Sequence, residues 1–385
     1  MDLNAADNRV AAADITSAVN LPPFRSSAMD GIAVAANRLA DSPPFDLRIA
    51  GESRAGHPLS PTTQLNSGDC VRIFTGAPLP AELDTVIIQE DCEFVAGEPL
   101  PRAIARVQPK TGDNVRGVGH DIAAGQQIVA SGERLNPFTV GWLSACGESR
   151  VRVVRRPRVS IFSTGDELRE PGNPLEPGQI YDANRILLRR MLARLPVDVS
   201  DLGILPDDPD AIRSSLTAAA SQSDMMITSA GVSVGEADFV AQLVKEIGVL
   251  EVWRLLIKPG KPLAFGRLGD CLFFGLPGNP VSTVVTFLIV ARQALLRLCG
   301  TTCHRPVEYS ATLADKIYHK PGREEFQRGQ LKQSSGNLIV HTTGDQSSNR
   351  LASFHAADCL IRIDKELGDL SPGTNVPVLP FEGLL

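Results

Sequence analysis

Between Arg158 and Gly300 short apolar runs alternate with stretches of helical periodicity, and this restricts the fold more than anything else in the chain. Residues 159–162, 197–202, 225–227 and 272–274 read as strands; residues 182–195, 208–222, 239–247 and 281–298 read as helices. Short strands at 255–258 and 263–266 fall between the last two helices. Strands alternating with helices predict a mostly parallel sheet covered on both faces. In such a sheet, ligands gather beyond the carboxyl ends of the strands. Three of these ends carry unusual loops: Ser163-Thr-Gly-Asp-Glu-Leu168, Thr228-Ser-Ala-Gly-Val-Ser-Val-Gly-Glu-Ala-Asp238 and Gly275-Leu-Pro-Gly-Asn-Pro-Val281. A strand that breaks into Gly and Ser before a helix presents backbone N–H groups at a positive helix end, which suits a phosphate-bearing ligand. Each loop alone could be an ordinary β–α turn using Gly and Asn for their backbone tolerance. Together in one domain they point to a shared ligand cleft, with Asn279 able to cap the helix that begins at Pro280. Two lysines flank a Pro-Gly turn in Lys258-Pro-Gly-Lys-Pro262, so both ammonium groups can sit near one point and hold an oxyanion.

The flanks differ. From residue 20 to about 125 the chain is rich in Pro and Gly, with β-like runs at 47–50, 71–74 and 85–88 and turn signals such as Ser67-Gly68-Asp69. Residues 136–146 read as a helix with Asn136 as N-cap, Pro137 at N1 and Gly147 as terminator. Beyond Pro306 β-patterning returns at 307–313, 326–331, 338–342, 359–363 and 376–379, as in a small barrel or sandwich.

Composition excludes several classes. The net charge is −6 without a long basic block, and aromatics are 5% of 385 residues, so neither nucleic acid nor a membrane surface is expected as partner. The longest apolar run, 281–296, carries Arg292 and Gln293 and reads as a core helix. The start, Met-Asp-Leu-Asn-Ala-Ala-Asp, lacks the basic region of a secretory leader. The 7 cysteines form no Cys-x-x-Cys pair. Cys299-x3-Cys303-His304 has no second ligand pair, so free thiols in a reducing cytoplasm are expected rather than zinc.

Read in order, the motifs resemble the MoeA family of molybdopterin molybdenumtransferases, related to the gephyrin E domain. They are Pro22-Pro-Phe with Ser27-Ala-Met-Asp-Gly31, Arg72-Ile-Phe-Thr-Gly-Ala-Pro78, Asn114-Val-Arg116 with Asp121-Ile122, Ser163 to Leu168, and Gly178-Gln-Ile-Tyr-Asp-Ala-Asn184. Thr228 to Asp238, the two-lysine turn, Gly275 to Ser282 and Phe326-Gln-Arg-Gly329 complete the set. The resemblance spans nearly the whole chain. It implies a multidomain α/β-plus-β fold: an elongated linker domain (1–20 and 122–155), a β-rich domain (21–121), a MogA-like three-layer α/β domain (156–304) and a C-terminal β-barrel (305–385).

It also implies a homodimer, with the cleft between the α/β domain of one subunit and the β-rich domain of the other. The implied reaction joins molybdenum from molybdate to adenylylated molybdopterin with release of AMP, and Mg²⁺ is the implied cation. By the same resemblance Lys258, Lys261, Arg328 and Ser348 would bind molybdate. Glu167, Asp207 and Asp238 would hold the cation or drive hydrolysis. Thr164, Gly165, Ser229, Gly231, Ser233, Gly235, Pro277, Gly278 and Asn279 would line the nucleotide and phosphate cleft. Asp30, Thr75, Arg116 and Asp121 would form the partner-subunit face. Departures from the family pattern are Arg25 and Ser26 for an acidic residue and Asn, Ile32 for Tyr, His120 for Glu, Arg254 for Lys, and an absent amphipathic helix ahead of Arg9, which would mean a thinner linker domain, a weaker dimer, or a start that lies downstream of the true one. A MogA-like adenylyltransferase would lack the flanking β domains. A non-catalytic gephyrin-like scaffold would not need Glu167, Asp207, Asp238 and both lysines.

Overall fold

The computed structural model describes residues 1–229, 239–302 and 306–384, apart from the Val252 side chain. The chain divides into two compact units: Met1–Asp7, Ala13–Ser131 and Leu135–Arg152 form one, and Asn8–Ala12, Gly132–Arg134 and Val153–Leu385 the other.

The first unit is built on a six-stranded sheet in the order Thr85–Ile88, Gly31–Val34, Asp69–Ile73, Phe45–Ser53, Arg102–Ala105, Cys92–Val95. Successive side chains in a strand point to opposite faces, and here both faces are buried. Ile32, Val34 and Cys70 pack on one side, and Ala33, Ala35, Val71 and Ile73 on the other. The helix Pro137–Ala145 starts as its sequence predicts: the Thr139 N–H donates to Asn136 Oδ1 at 2.9 Å.

The second unit holds the alternating region. Its six-stranded sheet runs Asp198–Leu205, Arg158–Thr164, Met225–Ser229, Cys271–Leu276, Pro262–Leu268, Val249–Arg254. The first four strands are parallel and the last two antiparallel. Sequence periodicity missed Val249–Arg254, an edge strand on which Val249, Glu251, Trp253 and Arg254 are exposed. The central strands alternate between two cores. Val159, Ile161, Met225, Ile227 and Phe274 face the helix Ala183–Leu192 and the long helix beginning at Pro280, whereas Phe162, Met226 and Phe273 face Pro209–Gln222 and Phe239–Ile247. Ile212, Leu216 and Ala219 form the inward stripe of Pro209–Gln222. Each fully buried side chain of this kind contributes about 1.5–3 kcal/mol. Pro280–Leu298 is long and apolar enough to cross a membrane, but 61% of its most apolar window is buried inside the protein, as befits a core helix.

The same unit ends in a closed five-stranded barrel of Glu324–Ser334, Asn337–Thr342, Tyr309–Leu313, Asn375–Pro380 and Cys359–Ile363. It closes because Glu324–Ser334 pairs with both Asn337–Thr342 and Cys359–Ile363. Alternation again splits its side chains. Cys359, Ile361, Val376 and Val378 fill the barrel. Phe326, Leu360, Leu379 and Leu384 join the core of the α/β layer. A shared core fixes the barrel against the sheet. The 255–258 segment supplies a second link: Ile257–Lys258 leaves the α/β sheet and pairs in parallel with Glu324 and Glu325 at the start of the barrel.

Candidate functional site

The four parallel strands bring their following loops to one edge of the sheet. Arg158–Thr164 is flanked by Asp198–Leu205, the next strand of this sheet along the chain, on one side and by Met225–Ser229 on the other. That reversal of strand order is the switch point at which open α/β sheets bind ligands. Thr164 and Ser229 are buried at the two adjacent strand ends. Ser163 Oγ and Thr228 Oγ1 are also buried there, with no hydrogen-bond partner among the described residues. Gly165 has φ +139°, and a Cβ there would sit 2.4 Å from Glu167 Oε2, so only glycine lets the Glu167 carboxylate fold back over the turn. Glu167 and Asp207 are both exposed, on the loops that follow two neighbouring strands. Gly231, Ser233, Gly235 and Asp238 lie outside the described residues, as do Cys303 and His304. Among the described residues no three or more His, Cys, Asp or Glu side chains form a ready-made metal cage.

Next to these strand ends is a cavity of about 640 Å³ lined by Lys258, Gly260, Lys261, Pro277, Gly278, Asn279, Ser282, Arg323, Gln346, Ser347 and Ser348, together with Pro259 and Pro262. Among the described residues its lining holds three cations and no carboxylate. Gly260, at φ +113°, lies against the long helix so closely that a Cβ would meet Thr286 Oγ1 at 2.4 Å. The two lysines of the turn therefore border one space.

Asn279 occupies the N-cap position of the helix at Pro280 but makes no side-chain cap bond. Its Nδ2 instead donates to Ser348 Oγ at 3.1 Å, while the Val281 N–H donates to the Ser348 carbonyl at 3.1 Å. The expected cap is thus diverted to tie the Pro277–Asn279 turn to the barrel loop. Asn184 braces the turn from behind, Nδ2 donating to the Gly278 carbonyl at 2.6 Å.

Arg328 is absent from the cavity lining and is fully buried behind it. Its Nε donates to Ser353 Oγ at 2.9 Å, and a terminal nitrogen reaches the Ser347 and Asp345 carbonyls at 3.3 and 3.5 Å. Burial pulls its guanidinium down to about 10, against the opposing pull of Asp345 and Glu325. Arg328 thus shapes the loop that presents Ser347 and Ser348, and the arginine at the cavity surface is Arg323, which sequence reasoning missed.

Also missed was Glu325, only 2% exposed. Its Oε1 lies 3.0 Å from Lys258 Nζ and accepts from Gln327 Nε2 at 3.0 Å; Oε2 lies 2.8 Å from His319 Nδ1. Burial would raise this carboxyl's pKa, but hydrogen bonds from His319, Lys258 and Gln327 outweigh it and hold the pKa below the ordinary value. An ionised carboxylate only accepts, so Nδ1 carries the proton. That leaves the buried His319 Nε2 without a partner among the described residues, an arrangement costing about 1–3 kcal/mol.

In the first unit, Asp30 accepts from the Thr75 N–H and from Thr75 Oγ1, both at 2.8 Å. The backbone donor, then the hydroxyl, hold the Asp30 pKa below its ordinary value. Arg116 sits on the short strand paired with Ser26–Ser27, and the Asp121 N–H donates to the Leu21 carbonyl at 2.9 Å. The segments carrying Asp30, Thr75, Arg116 and Asp121 therefore come together within that unit.

Known proteins match the whole chain. Residues 1–147 match the MoeA N-terminal region (domains I and II), 160–297 a probable molybdopterin-binding domain, and 310–381 the MoeA C-terminal region (domain IV). A molybdopterin molybdenumtransferase of Haemophilus influenzae is 39% identical over 387 aligned positions, covering 100% of this chain and 94% of its own. One from Nostoc is 33% identical, covering 98% and 88%. A crystal structure of a molybdopterin biosynthesis MoeA protein from Pyrococcus horikoshii superposes with a TM-score of 0.79 at 32% identity, covering 99% of this chain and 93% of that one. The chain belongs to the MoeA family of molybdopterin molybdenumtransferases.

Proposed function

We propose that this chain is a molybdopterin molybdenumtransferase, taking adenylylated molybdopterin and molybdate and releasing AMP as molybdenum passes to the pterin dithiolene. The observation that carries the reading is the cavity of Lys258, Lys261, Arg323, Ser282 and Ser348, cationic and hydroxylic with no carboxylate among the described lining residues. A tetrahedral dianion needs converging N–H and O–H donors of this kind. It adjoins the strand-end edge where Gly and Ser loops suit a pyrophosphate.

Glu167 and Asp207 fit Mg²⁺ by donor chemistry. Both are hard oxygen donors, exposed to solvent, and neither is in an ion pair among the described residues. Magnesium is usually held by one or two carboxylates plus substrate phosphates and water, so no complete protein cage is required. When bound it would neutralise charge on the phosphoanhydride being hydrolysed. Thr164 and Ser229 would orient the phosphates, and Asp238 is the carboxylate proposed to position the attacking water. A cytoplasmic homodimer, with Asp30, Thr75, Arg116 and Asp121 completing the partner's cleft, belongs to the same proposal.

The test is AMP release from adenylylated molybdopterin with Mg²⁺ present. The wild type should release AMP in a molybdate-dependent manner and Asp238→Ala should not. Absence of molybdate-dependent release from the intact protein would sink the reading.

A further inference from the structure

We propose that Glu325 is a built-in counter-charge that weakens the cavity's hold on its oxyanion, so that the anion can be handed on rather than trapped. This deepens the reading above and rests on it. Lys258 borders the cavity, and Glu325 stands directly behind it, 3.0 Å from its Nζ and 2% exposed. The parallel pairing of Lys258 with Glu325 builds this contact into the backbone register. Both carboxylate oxygens are already engaged, by Lys258 and Gln327 on one side and His319 on the other, and Glu325 is not in the cavity lining. It therefore acts through charge and through Lys258, as a positioning residue. The 1%-exposed His319 side chain spends Nδ1 on Glu325 and leaves Nε2 unpartnered. Against burial, the bonds from His319, Lys258 and Gln327 hold the Glu325 pKa below its ordinary value, so the carboxylate keeps a negative charge that opposes the site.

A cationic site meant only to bind would not keep a buried anion against one of its lysines. A site that must release its ligand into a transition state gains nothing from tighter ground-state binding. With Glu325 present, the attraction of one of the three lining cations is largely cancelled close to the anion, in surroundings where Coulomb terms are less screened than in water. A transferable dianion such as molybdate fits this balance; sulfate, a tetrahedral dianion without transfer chemistry, serves as control.

The experiment is calorimetric titration of molybdate and of sulfate into wild type, Glu325→Gln, Lys258→Met and the double variant, with AMP release at saturating molybdate. Gln keeps the shape, and His319 can accept from it by changing tautomer. Glu325→Gln should lower the Kd for both anions about tenfold, a typical result of removing one nearby opposing charge. Its KM for molybdate and its kcat should fall together, the signature of over-stabilised ground-state binding. Lys258→Met should bind more weakly, and Glu325→Gln in that background should restore part of the loss. An unchanged or higher Kd in a Glu325→Gln protein of wild-type thermal stability would overturn the proposal and leave Glu325 a mere support for Lys258. Should the single variant fail to fold, the double variant decides: tighter binding than Lys258→Met supports the counter-charge, and equal or weaker binding overturns it. A wild type that binds neither anion would instead count against the functional reading itself.

Discussion

The oxyanion cavity and the carboxylate-bearing strand ends lie along the same edge of one sheet, yet they are built on opposite plans. The cavity is preassembled. Its turn is tied by Asn184 and Asn279, its barrel loop is held by buried Arg328, and Lys258 is clamped by Glu325. The strand ends carry Glu167 and Asp207 exposed to solvent, outside any ion pair among the described residues. The difference suits the two ligands proposed for them. A polyoxyanion offers only acceptors, so the protein must supply a full set of aimed donors. A cation that arrives with waters and substrate phosphates needs few protein ligands, and these can wait in solvent.

The sharpest break would come from Lys261→Ala. Removing a charged donor from the preassembled side should raise the molybdate half-saturation concentration about a hundredfold, with AMP binding nearly unchanged; equal loss of both would place Lys261 on the phosphates. On the other side, Asp207→Asn should raise the Mg²⁺ requirement of AMP release about thirtyfold while calorimetric molybdate affinity stays at wild type. A joint loss would mean that the two halves are one site. Asn279→Ala should weaken molybdate about tenfold, the scale of one lost neutral hydrogen bond or slightly more, without lowering thermal stability. If it behaved as an ordinary N-cap, unfolding would show a loss of about 1 kcal/mol instead.

The smallest effect lies at the opposite end of the sheet. There Arg155, with Arg158, holds the Asp224 carboxyl well below the usual carboxylate range despite partial burial. A carboxylate with a depressed folded-state pKa stabilises the protein above its unfolded value, about 3.9, and loses that contribution as pH falls toward the folded value. Asp224→Asn should therefore cost about 1–2 kcal/mol at pH 7, with the gap to wild type closing progressively below about pH 4. A pH-independent gap in urea titrations would show that packing, not charge, is responsible.

Much of this was legible in the chain. The alternation of strand and helix patterns from 158 to 300 gave the parallel sheet because periods of 2 and 3.6 are local properties, repeated over several residues. The turn Lys258-Pro-Gly-Lys-Pro262 and the loop at Pro277 to Asn279 stood out because small residues and lysines at a strand end are also local signals, and both line the cavity. The motif Phe326-Gln-Arg-Gly329 points to Arg328, because sequence shows that an arginine is present but not which way it points. Arg323 lies just ahead of the strand Glu324–Ser334 and borders the cavity, whereas Arg328 lies within that strand and is buried. Asn279 looked like a cap because its position is a cap; that its amide serves Ser348 instead depends on a residue 69 positions away.

The sequence by itself determined the sheet and its helices, the barrel's β character, the lysines and small residues that line the cavity, and the family. Tertiary structure alone decided that Ile257–Lys258 would pair with the barrel rather than with its own sheet. From that register followed the meeting of Lys258 with Glu325, and the bond from Glu325 to His319 was set by the barrel's own packing. Periodicity and turn chemistry act over a few residues and can be read from them. Strand register between distant segments is set by which pairing buries the most apolar surface and leaves fewest polar groups unpaired, a sum over the whole fold that no short stretch contains.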